Sequence, residues 1–416
     1  MTRSRFAWRG IAVAAAASLA LTACGGSNGD NGNGDEVPEG DGVLRIGTIL
    51  PQTGTLAFLG PPEFAGVDLA AQEINEAGGV LGNDVVISHK DSGDTSTDVA
   101  NQSADAHISE GADVIIGAAS SAVSFNIMAK LNSNEIIQIS PANTSPAFTT
   151  DPDAAYYYRT APSDVIQGRV LADEIIADGH SSVAILALQD SYGTGLADEV
   201  EKNIEGAGGE VVMKQIYDPQ AAEFSAEVGE VGASDADALV LITFEELTNL
   251  GPQLSEAGYG PSELGWYLVD GNLSNYGDSL PEGMLEEAKG TKPAVDTGDD
   301  FQERLLKINP ELGDFTYAAE SYDAAIIAAL AAEAAGSDHP NAIKTEMVNV
   351  TRDGEKCTTF ADCKALLEDG ADIDYDGVSG PIEWTEDGDI SVGSIGVYEY
   401  GADNNYEVLG YREGSL

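Results

Sequence analysis

Residues 113–144 read DVIIGAASSAVSFNIMAKLNSNEIIQISPANT. An apolar run, Val114 to Ile116, ends at Gly117. Ser120 and Ser121 then open an amphipathic segment with Val123, Ile127, Met128 and Leu131 on one face. A second apolar run, Ile136 to Ile139, ends in Ser140-Pro141-Ala142-Asn143-Thr144. The pattern predicts strand, helix, strand, with hydroxyls at the carboxyl end of each strand. In an open parallel sheet those ends line one crevice, where ligands bind. A serine at a helix start caps it and leaves backbone N–H groups pointing outward. Such a terminus attracts a carboxylate or another anion. An ordinary cap plus a turn is the plainer reading of Ser-Ser taken alone.

Outward from this stretch the same alternation continues. Val43 to Leu50 and Val85 to His89 predict strands; Glu63 to Ala77 and Thr95 to Glu110 predict helices. After a crossing segment at Tyr156 to Thr160 the pattern restarts. Val165 to Ala177 reads as a helix, and Val183 to Leu188, Glu210 to Tyr217, Ala238 to Thr243 and Leu264 to Val269 as strands. Residues 190–195, DSYGTG, read as a loop leading into a helix over Leu196 to Ala207. Strands alternating with helices predict an α/β fold with parallel sheets, in two units. Asp300 to Ile308 and Tyr317 to Ala335 predict further helices, and the tail from Gly380 to Tyr411 antiparallel strands.

The first residues predict a leader. Arg3, Arg5 and Arg9 precede an apolar run, and Leu21-Thr22-Ala23-Cys24 resembles a bacterial lipobox. Residues 1–23 are therefore expected to be a signal peptide, Cys24 a lipidated N-terminus, and 24–42 a flexible Gly/Asn/Asp-rich tether. With Cys24 so used, Cys357 and Cys363 remain, and an exported chain with a leftover pair favours a disulfide.

The formal charge is −52, from 19 basic and 71 acidic residues. This excludes nucleic acid and anionic lipid surfaces as electrostatic partners. No G-x-S-x-G elbow, phosphate loop or dinucleotide fingerprint is present, so no enzyme activity and no cofactor are expected. His89, His107, His180 and His339 are scattered, and no metal site is expected from them. One motif argues otherwise. Asp372-Ile373-Asp374-Tyr375-Asp376-Gly377 followed by Glu383 fits the EF-hand calcium spacing. Pro381 and the strand-like residues after it favour a carboxylate-rich turn instead.

Several segments together resemble one family. They are IGTILPQTG (46–54), EINEAGGVLG (73–82), IIGAASS (115–121), ISPANTSP (139–146), DSYGTG (190–195), YLVDGN (267–272), ESYDA (320–324) and GVSGPIEWTEDGD (377–389). Their order and spacing are similar to the leucine/isoleucine/valine-binding proteins, the solute-binding subunits of ABC importers, over nearly all of 43–411. The resemblance implies the type I periplasmic-binding-protein fold: two doubly wound α/β lobes joined by a three-crossing hinge. It places lobe I at 43–160 plus about 291–345, and lobe II at 161–290 plus about 346–416.

It also implies site roles. Ser121 with its backbone N–H, the Ala142 backbone and Thr144 would hold a ligand carboxylate, with Ser120 also among the ligand-binding residues. Tyr192 would close from the second lobe, and Asp270 would pair with a ligand ammonium. Phe58, beside Leu59, falls near a position where some members place an aromatic. Glu245 falls where others have an aromatic lining the side-chain pocket; it suits a polar or cationic side chain, or points outward. The expected function is capture of an amino acid, branched-chain or polar, by a monomeric lipid-anchored subunit at the extracytoplasmic face of the membrane, partnered by ABC permease subunits. The alternatives are a binder of another small amide, amine or aromatic acid, and a sensor that reports ligand to a signalling partner.

Overall fold

The computed structural model describes residues 38–221 and 223–416. The expected signal peptide, Cys24 and most of the tether lie outside the described residues. The chain begins with β1 (Arg45–Leu50), α1 (Gly60–Glu76), β2 (Val86–Asp91), α2 (Val99–Glu110), β3 (Val114–Gly117), α3 (Ser121–Ser133), β4 (Ile137–Ser140) and β5 (Tyr157–Arg159). Their sheet has the order β2-β1-β3-β4-β5 and every pairing is parallel. All residues of β3 and β4 are buried, as continuous apolar runs are in parallel sheets covered on both faces.

The second unit runs through α4 (Asp164–Ala177), β6 (Ser182–Leu188), α5 (Ser191–Gly206), β7 (Glu210–Tyr217), α6 (Ser225–Ala233), β8 (Ala238–Ile242), α7 (Leu247–Glu256), β9 (Gly265–Val269) and β10 (Lys289–Pro293). The predicted loop at 190–195 is in fact the first turn of α5. Asp190 caps it by accepting from the Gly193 N–H at 2.7 Å, which the run of two glycines had disguised.

The chain then crosses back. α8 (Gly298–Ile308) and α9 (Ala318–Ala335) pack with α1, and α10 (Pro340–Glu346) packs with α9. Fifteen residues of α9, Ala318 to Ala332, are all buried, so it has no polar face. The two helices approach so closely that a Cβ on Gly66 of α1 would lie 2.2 Å from the Ala318 carbonyl oxygen. β11 (Glu355–Cys357), α11 (Phe360–Glu368), β12 (Ile373–Gly377) and β13 (Gly380–Pro381) follow, with Cys357 and Cys363 bridged. A last crossing leads to the antiparallel pair β14 (Val392–Tyr400) and β15 (Tyr406–Ser415). They extend the second sheet to the order β15-β14-β10-β9-β8-β6-β7.

The expected split of the chain needs one correction. Residues 346–416 do not all join the second lobe. Cys357, Phe360, Cys363, Tyr375, Ile382, Trp384 and Ile390 belong to the apolar core of the first, and only the hairpin after Ile390 pairs with the second sheet. The cause is visible at the sheet edge. The Trp384 indole N–H donates to the Arg159 carbonyl at 2.7 Å, and the buried Arg159 guanidinium meets the buried Asp389 carboxylate at 2.6 Å. The calcium-like stretch falls in β12 and β13 rather than between helices. There the Lys356 ammonium bridges Asp374 and Asp376 at 2.9 Å each, supplying the positive charge itself. No cluster of three or more metal-type ligands occurs among the described residues, and none of their helices is long and apolar enough to cross a membrane.

Candidate ligand-binding site

Each sheet reverses its winding direction once, between β1 and β3 in the first and between β6 and β8 in the second. Loops at the carboxyl ends of those strands diverge there and leave a crevice. Both crevices open on one narrow cavity of about 10 Å³.

The first lobe contributes loops after β1, β3 and β4. Ser120 is the N-cap of α3, its hydroxyl accepting from the Val123 N–H at 3.4 Å. Ser121 is 2% exposed and begins the helix, where first-turn N–H groups have no intrahelical acceptor. The loop carrying Ala142 is held by its own polar groups. Ser140 Oγ accepts from the Asn143 N–H at 3.0 Å, and Asn143 Nδ2 donates to the carbonyls of Ala118 at 3.0 Å and Ala119 at 2.7 Å. Asn143 thus ties the β3 loop to the β4 loop, a positioning role that the sequence reading missed. Leu56 and Leu59 complete this wall.

The second lobe contributes Tyr192, Phe244, Asp270 and Gly271. Asp270 starts the turn after β9 and is buried. Its Oδ1 accepts from the Tyr192 hydroxyl at 2.7 Å and from Gln167 Nε2 at 2.9 Å; its Oδ2 accepts from the Tyr317 hydroxyl at 2.9 Å. Tyr192 in turn accepts from the Gly271 N–H at 3.2 Å and stacks on Phe244 with ring centroids 5.5 Å apart. Tyr317 belongs to the strap just before α9, in the first lobe. Its left-handed backbone, φ 60°, is uncommon for a bulky residue, and its phenol spans the cleft.

A second acid lies behind the first. Asp164, the first residue of α4, is fully buried, and neither its oxygens nor the buried Thr144 hydroxyl has a hydrogen-bond partner. Burial pushes the Asp164 carboxyl well above the usual range, and the Asp270 charge pushes it further. Burial likewise raises Asp270, against the lowering effect of its three donors. Two carboxylates in such a place resist carrying two charges at once, and a cation between them relieves both.

The residues expected at the site fall in three places. Ser120, Ser121, Ala142, Tyr192 and Asp270 line one cavity. Thr144 sits behind it beside Asp164. Phe58 and Glu245 do not line it; they face an outer cavity of about 280 Å³, with Glu245 exposed. The turn after β8 explains the exchange. Phe244 buries its ring on Tyr192, which puts its neighbour Glu245 in water, while Glu246 folds back to accept the Phe244 N–H at 2.7 Å. Gln167, Phe244 and Tyr317 were not anticipated. Gln167 and Tyr317 sit at helix starts, and only tertiary packing brings them to Asp270.

Comparisons with known proteins follow this geometry. The periplasmic binding protein family model matches residues 43–389. The chemotactic signal transduction system substrate-binding protein BasB of Halobacterium salinarum is 25% identical over 370 residues, covering 82% of this chain and 83% of that one. Leu/Ile/Val-binding protein homolog 1 of Brucella suis is 27% identical over 390 residues, covering 88% and 93%. The structure of the branched-chain amino acid transporter substrate-binding protein LivJ of Streptococcus pneumoniae, with isoleucine, superposes with a TM-score of 0.72 at 19% identity, covering 90% of this chain and all of that one. With the family model spanning both lobes and the hinge, the chain belongs to the periplasmic binding protein family, a family of substrate-binding proteins rather than enzymes.

Proposed function

We propose that the protein is the extracytoplasmic, lipid-anchored substrate-binding subunit of an ABC importer, and that it captures an amino acid by closing its lobes. One observation carries the reading: a buried carboxylate, Asp270, faces the open start of α3 across a small cavity. Ser121, with the N–H groups of the first turn, suits the α-carboxylate. Asp270, with Asp164 behind it, suits the α-ammonium. The names of the Brucella relative and of LivJ support an amino acid as ligand. Ser120, Ala142 and Tyr192 would complete the contact surface, with Thr144 supporting it.

A thermal-shift screen over amino acids, amides and aromatic acids tests this directly. A ligand at 100 times its dissociation constant adds about 2.7 kcal/mol of stability. Amino acids should dominate the hits; stabilisation by aromatic acids alone would overturn the reading. Small-angle scattering with a bound hit should show a smaller radius than without it, because ligand contacts on both lobes favour the closed state. The anchor rests on Cys24. Cys24→Ala should release the protein from the membrane fraction or leave it unprocessed, and unchanged fractionation would refute the anchor.

A second reading, a receptor for a signalling partner, draws on the chemotactic name of the Halobacterium relative. Uptake of the ligand in cells lacking this protein separates the two. An importer subunit is needed for uptake, whereas a receptor is needed only for the response.

A further inference from the structure

Leu56, Ser120 and Phe244 line both the inner cavity and a second, narrow chamber of about 20 Å³ beside it. A ligand seated by its carboxylate at α3 and its ammonium at Asp270 would send its side chain this way. Leucine-like ligands call for an apolar wall here. Beside Leu56, Leu188, Pro219 and Phe244 the chamber presents Asp94, Asp190 and Glu246, and none of the described residues lining either cavity is a lysine, arginine or histidine.

These acids are not all satisfied by the protein. Glu246 spends Oε2 on the Phe244 N–H, but its Oε1 is buried with no partner. The hydroxyl of Tyr217, a residue 1% exposed, also has no partner, and it lies within electrostatic reach of both Glu246 and Asp190. Asp190 is raised to about 6 and Glu246 is also raised, burial being the main cause in each. The only ionised neighbour acting on either is another acid. Half-buried carboxylates without a counter-charge are costly as well, though less so than fully buried ones, and a cation beside them relieves the cost.

We propose that the ligand carries a second cationic group on its side chain, seated against Glu246 and Asp190, so that the protein selects basic α-amino acids over aliphatic ones. This rests on the amino-acid reading above. Glu246 takes the role that the sequence had suggested for Glu245.

Calorimetry with lysine and norleucine isolates the point, since norleucine is lysine without its terminal ammonium. Lysine should bind at least about tenfold tighter, and Glu246→Gln should weaken lysine by about tenfold or more while norleucine stays within about threefold. The norleucine value also reports that the variant is folded. If Glu246→Gln loses both ligands, Asp190→Asn, which keeps the oxygen that caps α5, replaces it in the same comparison. Norleucine binding as tightly as lysine, or equal losses for both ligands in the folded variant, would overturn the second cation but leave the amino-acid reading standing. Binding of neither, with an aromatic acid bound instead, would overturn that reading as well.

Discussion

The two faces of the cleft are built from different materials. The first lobe offers dipoles: a capped helix start, a turn carrying Ala142, and hydroxyls. The second offers a carboxylate and two stacked rings. Dipoles are inexpensive to bury because neighbouring loops satisfy them, as Asn143 does with both first-lobe loops. A carboxylate is not, and Asp270 is kept in place by three donors, one of them from the opposite lobe. The two faces should therefore differ sharply in how much one substitution costs.

The largest effect is expected at Asp270. Removing it leaves a ligand ammonium buried and unpaired, at roughly 3–5 kcal/mol. Asp270→Ala should weaken an amine ligand by about a hundredfold or more in calorimetry, and Asp270→Asn by less. A loss within threefold would show that the asymmetry is false or that the ligand is no amine. Next comes Phe244→Ala, which removes the wall stacked on Tyr192; a loss of about tenfold is expected. Acidity sharpens the contrast. The Asp270 carboxyl is raised by burial, so it gains its proton earlier than an ordinary aspartate as pH falls. Affinity for an amine should drop as pH is lowered through that raised value, and Asp270→Asn should flatten the profile. A wild-type profile as flat as the variant's would remove Asp270 from the binding step. The smallest effect belongs to the first lobe. Ser121→Ala should cost only a few-fold, because the helix N–H groups remain. A hundredfold loss there would reverse the comparison.

The difference between the faces also governs what was legible in the sequence. The first-lobe face is local. Ser120 and Ser121 follow β3 and Ala142 follows β4, so strand ends read from apolar runs place them. The second-lobe face is assembled from afar. Gln167, Tyr317 and Asp270 meet across 103 and 47 residues of chain, and no periodicity connects them. The turn after β8 shows the limit most plainly. Whether Phe244 or Glu245 faces inward depends on one residue of register, which stacking on Tyr192 decides. β10, Lys-Gly-Thr-Lys-Pro, carries no apolar alternation and was missed; the strands on either side of it supply its pairing. Pro381 and the strand-like residues after it set the calcium spacing aside, but spacing alone does not reveal the lysine that bridges its acids.

The junction of Arg159 with Trp384 and Asp389 sets a schedule for the molecule's assembly. A chain made, or passed through a pore, with its N-terminus first presents Arg159 about 230 residues before its counter-ion. Until then the first sheet has an uncovered edge at Tyr157 to Arg159 and a guanidinium without its buried partner. Neither lobe is finished early, for the second sheet waits even longer for Tyr406 to Ser415. A product cut short before Trp384 therefore lacks both the buried partner of Arg159 in the first lobe and the last two strands of the second sheet.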